Sequence, residues 1–462
     1  VRVSDGRLSA ALFVAATLCC ALVTKSHADS WNDRSRFATI ESLTDRHTFA
    51  IDGSPFTAAM RDEYGYGGHI YSDKPPLLAL EGFGMAATLA RFGLTFARTP
   101  GTVVYLVTLA VIGGWFARGV TYAFALQRAL GFGRSVAVGV AALTGLGTLA
   151  LPYATVFSNH VPAGVAALAS LFHARRAAGA ISDAILAGLF AMLAVACDAG
   201  ALPFALGTAV LLWGARPATI AWACAGALPL AIAQLAFNHA VSGGFGPPAL
   251  NPSSWADPSS PFHNDYTALG RFPDIASYAR YALYLLAGDK GLFSYSPLLL
   301  AALGGLVIWF RQGTGDERRL ALAIALPSVV YIALIVLYTD DFTSYTYGDR
   351  RFAELAFVGC VPLGAALTAA RRDARARAAI LALGGASIAL AGLGTFAPFA
   401  GPEGISAAWN VFVALFRRSP ALGTLDALGV VAAVALGSRA SLRAMRTVAE
   451  RPAAAGESLY TH

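Results

Sequence analysis

LALAIALPSVVYIALIVLY, residues 320–338, runs without a single charged side chain. A helix of that length rises far enough to cross ~30 Å of hydrocarbon. Comparable runs recur along the chain, near 8–24, 101–120, 136–153, 161–174, 183–197, 200–214, 218–237, 296–311, 352–370, 378–398 and 422–437. Only 13% of the 462 residues are charged and 56% are hydrophobic, whereas a soluble domain carries ~25% charged residues. The sequence therefore predicts an all-α polytopic membrane protein of about twelve transmembrane helices. It forms one domain over 1–437, followed by a polar cytoplasmic tail, 438–462.

The net charge of +7 reads as membrane topology rather than affinity for nucleic acid. Arg128, Arg134, Arg175, Arg176, Arg216, Arg318, Arg319, Arg371 and Arg372 all fall in alternate short loops, and basic residues in short loops mark the cytoplasmic side. The other side holds 18 of the 27 acidic residues. This places both termini in the cytoplasm of a cell inner (plasma) membrane. Arg2 and Arg7 before Leu8–Val23 also fit a signal peptide, with Ser26-His27-Ala28 as a loose cleavage site; retention as the first span is the reading adopted. The five cysteines lie in apolar runs and show neither a disulfide framework nor metal-ligand spacing.

Two long insertions, 25–100 and 238–295, fall on the outer side. Segment 77–97 contains Glu81 and Arg91, each costing ~2.5–3.5 kcal/mol at mid-membrane. Counting it as a span would also invert every later arginine loop. It is expected to lie at the outer interface as a juxtamembrane helix, as is Ala407–Phe416.

Chemistry-bearing residues gather on that side. Asp33 follows the first span closely and is either a general base at the membrane surface or the N-cap of a helix Arg34–Asp45. In Asp73-Lys74-Pro75-Pro76 two prolines stiffen the backbone before an apolar helix and hold Lys74 at headgroup height; the alternative is a snorkelling lysine. Arg36, His69 and Tyr71 belong to the same insertion. Ser158-Asn159-His160 sits at the end of the third span, and Asp198 stands alone in a tight turn, where a capping role competes with a functional one. The loop Thr339–Arg351 offers Tyr345, Tyr347, Arg350 and Arg351, arginine being suited to bidentate phosphate contact. Ion pairing of these arginines with Asp349 or Glu354 is the alternative. Lys290, in the second insertion, adds a further cation.

Asn32-Asp33-Arg34, Tyr71-Ser72-Asp73-Lys74-Pro75-Pro76-Leu77 and Tyr347-Gly348-Asp349-Arg350, in this order and on this side, resemble the GT-C membrane glycosyltransferases of the protein O-mannosyltransferase and aminoarabinose transferase type (glycosyltransferase family 39-like). The resemblance covers roughly residues 1–355. It implies a polyprenyl-phosphate sugar as donor and a glycan, lipid or protein as acceptor. It also implies inversion at the anomeric carbon, with Asp33 as base and Lys74, Arg350 and His160 at the donor phosphate. No cofactor is required by it, and a divalent metal is compatible with it. The chain departs from the pattern twice. Ser158-Asn159-His160 replaces a second acid, and the usual Y-G-P-R reads Y-G-D-R. A secondary transporter or lipid flippase without transferase activity is the competing reading, disfavoured because the spans are nearly free of charge.

Overall fold

The computed structural model describes residues 4–58, 60–248, 272–339, 346–399 and 407–419, together with 421 and 424. The expected last span, 422–437, and the tail lie outside these residues apart from 424. Tyr345 also lies outside them.

Helix α1 (Asp5–Val23) opens the chain. It leads into α2 (Trp31–Asp45), a hairpin of β1 (Glu63–Tyr66) and β2 (His69–Ser72), and α3 (Leu77–Ala90). The hairpin turns on Gly67 and Gly68, both at positive φ (61° and 84°), as a two-residue loop of this kind requires. Helices α4 (Pro100–Thr108) and α5 (Gly114–Ala129) continue one another through a π-helical turn, Leu109–Gly113. Then come α6 (Arg134–Leu146), α7 (Ala150–Tyr153), α8 (His160–Arg176), α9 (Ile181–Cys197), α10 (Phe204–Leu212) and α11 (Pro217–Ser242). After the second insertion follow α12 (Ile275–Ala287), α13 (Leu292–Tyr295), α14 (Leu298–Gln312) and α15 (Gly315–Tyr338). The last four are α16 (Phe352–Gly359), α17 (Leu363–Ala369), α18 (Ala374–Gly394) and α19 (Ala407–Arg418).

Each expected span from 8–24 to 378–398 coincides with a helix or with helices joined by a short break. Among the described residues, five helices are long and apolar enough to cross a membrane, or seven if two bent pairs each count once. One of these pairs, α16 and α17, bends by 49°. A count of twelve exceeds what length and composition alone support, because α6, α8, α9 and α10, of 13, 17, 17 and 9 residues, fall short of a full crossing.

Helix α8 is the centre of the packing. Nearly all its residues from His160 to Ala174 are buried, so it is enclosed on every side, as an apolar helix without a polar face must be. Gly164 allows α16 to approach; a Cβ there would lie 2.6 Å from the Glu354 carbonyl oxygen. By contrast α11 leaves Ile220, Trp222, Leu228, Ile232 and Leu235 exposed, an apolar surface suited to lipid.

The two ends of this helix array differ in charge. At one end Asp5 bridges Arg128 and Arg134, Arg371 donates to Ser135, and Arg319 reaches the Val210 and Trp213 carbonyls. At the other, the Lys25 N–H meets the Thr155 carbonyl at 2.8 Å, the Asp349 N–H meets Lys290 O at 2.9 Å, and the Tyr347 N–H meets Pro398 O at 2.9 Å. Helix α3 is fourteen residues long and lies against α2, where Gly82 faces Ile40 and Phe157. Its Glu81 accepts a hydrogen bond from Trp115 Nε1 at 2.9 Å, so the acid that argued against a span has a partner.

Candidate active site

Residues Asn32, Ser35, Arg36 and Thr39 share one face of α2, as spacings of three and four require. Ser35 Oγ donates to the Asp62 carbonyl and lies 2.6 Å from Ser72 Oγ. These contacts fasten the hairpin to α2. Ser72 Oγ accepts the Lys74 N–H at 3.2 Å, and Pro75-Pro76 leads straight into α3. Lys74 is thereby set with Nζ 2.7 Å from Asp62 and 2.9 Å from Asp73. Burial opposes the charge on Lys74, but the two carboxylates outweigh it and hold the ammonium above its usual pKa. Beside Lys74 runs a cleft lined by Arg36, Thr39, Tyr71, Pro76, Phe49 and Phe237. Phe49 and Phe237 meet edge to face at 4.9 Å, joining the first insertion to α11.

Arg36 is only 1% exposed. Its Nη1 donates to Asn32, while Nε has no partner among the described residues. Burial depresses its pKa, and the charges of Asp198, Asp73 and Asp62 oppose that effect while Arg350 adds to it. Arg36 thus stands where two charged clusters meet.

The second cluster comes from three helix ends. His160 begins α8, Asp198 caps α9 and Glu354 lies in the first turn of α16. His160 Nδ1 is 2.7 Å from Glu354 Oε1 and 3.2 Å from Asp198 Oδ2. Asn159 Nδ2 donates to Asp198 Oδ2, and the Gly200 N–H donates to Asp198 Oδ1 at 2.8 Å. Burial works against the charge on Asp198, but the hydrogen bond and charge of His160 hold its carboxyl below the usual range. Arg350 is half-buried and its side chain has no partner among the described residues; its charge acts on both Arg36 and His160.

Lys74, Asp73, Tyr71, Arg36, Asn159, His160, Asp198 and Arg350 therefore belong to one neighbourhood. Other residues singled out in the sequence do not. His69 is exposed at the hairpin turn and pairs with Asp52 at 3.2 Å. Tyr347 is fully buried and its hydroxyl donates to the Leu390 carbonyl at 2.7 Å. Arg351 forks onto Asp349 through Nε and Nη2, so the Y-G-D-R acid is held by Arg351. Lys290 is buried behind this segment, its carbonyl accepting the Asp349 N–H.

Asp33 sits differently from expectation. The helix begins at Trp31 rather than Arg34, and Ser30 is the N-cap. Ser30 Oγ accepts the Asp33 N–H while Asp33 Oδ1 accepts the Ser30 N–H at 2.7 Å, a capping box. The sequence W-N-D-R hides this because the capping serine precedes it. Oδ1 also accepts Ser30 Oγ–H and the Arg34 N–H, whereas Oδ2 accepts one bond, from the Asp29 N–H at 3.0 Å. Burial lifts the Asp33 carboxyl to about 6, against the pull of the Ser30 and Asp29 donors. Two residues of the site were not singled out as such from sequence. Asp62 is marked only by its acidic neighbour Glu63, and Glu354 lies one helical turn beyond Arg350.

No protein-family model and no curated protein matches the chain. Among solved structures, the arrangement is similar to ArnT from Cupriavidus metallidurans bound to undecaprenyl phosphate, at 14% identity and TM-score 0.49, covering 96% of this chain and 78% of that one. It is also similar to the Archaeoglobus fulgidus oligosaccharyltransferase in complex with Zn and sulfate, at 13% identity and TM-score 0.47 over 91% of this chain. This chain spans 57% of that oligosaccharyltransferase. At such distances the activity has to be argued from the chain's own residues.

Proposed function

We propose that the chain is an integral membrane glycosyltransferase that moves a sugar, hexose or pentose, from a polyprenyl-phosphate donor to a glycan, lipid or protein acceptor. The observation that carries this is that Lys74 and Arg36 line one cleft walled by aromatic rings, with the charge of Arg350, from a segment far along the chain, acting on Arg36. Cations around an apolar-walled cleft match a phosphate that is joined to a prenyl chain. Their place in the first insertion and just before α16, outside the long apolar helices, favours a transferase over a coupled transporter. With the arginine-rich end in the cytoplasm, both termini are cytoplasmic and the site faces the periplasm from the inner membrane.

In this mechanism Lys74, Arg36 and Arg350 hold the donor phosphate. Asp33, anchored through Oδ1, takes the acceptor's proton on Oδ2. The acceptor oxygen bonds to the anomeric carbon from the face opposite the phosphate, inverting it. The glycosidic C–O bond to phosphate breaks, and its electron pair leaves on the polyprenyl phosphate, where fixed cations stabilise the growing charge. His160 is already committed to two carboxylates, so phosphate contact is left to the three cations.

The test is transfer from defined polyprenyl-phosphate sugars by purified protein in lipid nanodiscs. Asp33→Asn is expected to abolish turnover while sparing donor binding, and Lys74→Ala to weaken both. Full turnover by both variants would defeat the mechanism.

A further inference from the structure

We propose that His160, Asp198 and Glu354 form a binding site for one divalent transition-metal ion of the Mn²⁺ or Zn²⁺ class. One ligand atom from each lies within 4.8 Å of the other two. An imidazole nitrogen with two carboxylate oxygens is a mixed donor set that suits such ions better than Ca²⁺, which takes oxygen ligands in larger number.

The burial of the cluster makes the charge balance the deciding point. Glu354 is fully buried and His160 is 5% exposed. Two carboxylates there are costly to ionise unless cations oppose them, and of the nearby positive groups only the His160 imidazole touches both, Arg36 and Arg350 acting through space. The hydrogen-bond inventory is also incomplete among the described residues. Glu354 Oε2, His160 Nε2 and Asn159 Oδ1 are buried without partners. Glu354 Oε2 shares its carboxylate with the oxygen already touching His160, so an unfilled acceptor lies inside the cluster itself. Native structures rarely leave such groups unpaired, and a bound ion is one established explanation.

Asp198 is the part-exposed ligand, with 20% of its side chain accessible, so an ion would enter past it. The charges of Arg36 and Arg350 act on the cluster and oppose a cation, while Asp198 and Glu354 supply two carboxylates in direct contact with the imidazole. The second buried histidine–aspartate pair, His173 with Asp183 at 2.7 Å, lies at the opposite ends of α8 and α9. It is satisfied by Arg176 and the Tyr122 hydroxyl, so it serves as an internal control.

The inference does not depend on the transferase reading, because it is tested by metal content. The full-length protein, purified in nanodiscs without chelator, is assayed by elemental analysis, then stripped and titrated with Zn²⁺ and with Mn²⁺ followed by electron paramagnetic resonance. Wild type and Asp183→Asn are expected to bind one ion per chain. Glu354→Gln and His160→Ala are expected to lose it, with affinity falling ~100-fold or more on removal of a ligand. Thermal melts of the apo forms identify any variant that has unfolded; Glu354→Gln, nearly isosteric, then carries the test. Wild type binding neither ion, or an unchanged affinity in folded Glu354→Gln, overturns the proposal.

Discussion

Lys74 Nζ lies 2.7 Å from Asp62, a residue twelve positions upstream across the hairpin, and only slightly farther from its neighbour Asp73. The ammonium therefore does not reach out to solvent as a snorkelling lysine would. It is held inside the fold by two acids, whose own charges are offset in part by Arg36. Removing Lys74 strands both carboxylates in a buried place. Lys74→Ala is expected to cost about 3–5 kcal/mol in denaturant unfolding. Asp62→Asn should cost less and should leave a net-positive site, lowering the KM for an anionic donor while reducing kcat, since the ammonium is then oriented by Asp73 alone. Steady-state kinetics with the donor varied separates the two effects, and an unchanged or raised donor KM would contradict this arrangement.

The Asp33 carboxyl has a pH signature. Burial raises its folded-state value to about 6, above the ordinary Asp value of 3.8. Above that pH the ionised form is held at a cost to the fold, and the cost is relieved as pH falls from about 6 towards the unfolded value. Activity moves the opposite way if Asp33 is the base, because the proton acceptor is lost below about 6. A pH–rate profile for kcat/KM should show an acid limb near pH 6. A wild-type profile flat down to pH 5 would remove Asp33 from proton transfer and leave it as a helix cap.

The apolar runs made the helices legible because a charge-free stretch of this length has few other fates. Residues 161–174, read as a span, are helical from His160 to Arg176. What escaped is tertiary or very local. Tyr66-Gly67-Gly68-His69 forms a tight hairpin, yet each of its strands is four residues long, too short for alternation to stand out within a polar insertion. Glu354 meets His160 across 194 positions, and no local spacing encodes that contact. Lys74 and Arg350 stood out in the sequence because their neighbouring Pro-Pro and Gly residues mark constrained backbone. Tyr347 and Arg351 stood out for the same reason, and their side chains anchor the segment that carries Arg350, at the Leu390 carbonyl and at Asp349.

Arg350 is distinguished from Arg351 by its lack of a side-chain partner among the described residues. An unpaired guanidinium beside Arg36 gains a partner when an anion arrives, whereas Arg351 would first have to leave Asp349. Arg350→Ala is expected to raise the donor KM ~10–100-fold, the scale of losing one charged hydrogen-bonding group, with little change in melting temperature. Arg351→Ala should instead lower stability, because Asp349 loses the fork that balances it. Equal effects of the two on donor binding would show that the segment contacts the donor differently.

Gly164 tests whether the approach of α8 to α16 matters for the site. A methyl group at this position would press on the backbone of Glu354, 2.6 Å from its carbonyl oxygen and 2.9 Å from its Cα. Backbone has no rotamer by which to yield, so the helices would have to part by several tenths of an ångström. His160 is held to Glu354 at 2.7 Å, and a shift of that size would stretch the contact beyond good hydrogen-bond geometry. Gly164→Ala is expected to cost about 1–3 kcal/mol, as overpacking does, and to raise the donor KM, because the displaced α16 follows directly on Arg350. Gly139→Ala, where the added carbon would meet only Leu367 at 4.0 Å, serves as the matched control and should behave as wild type.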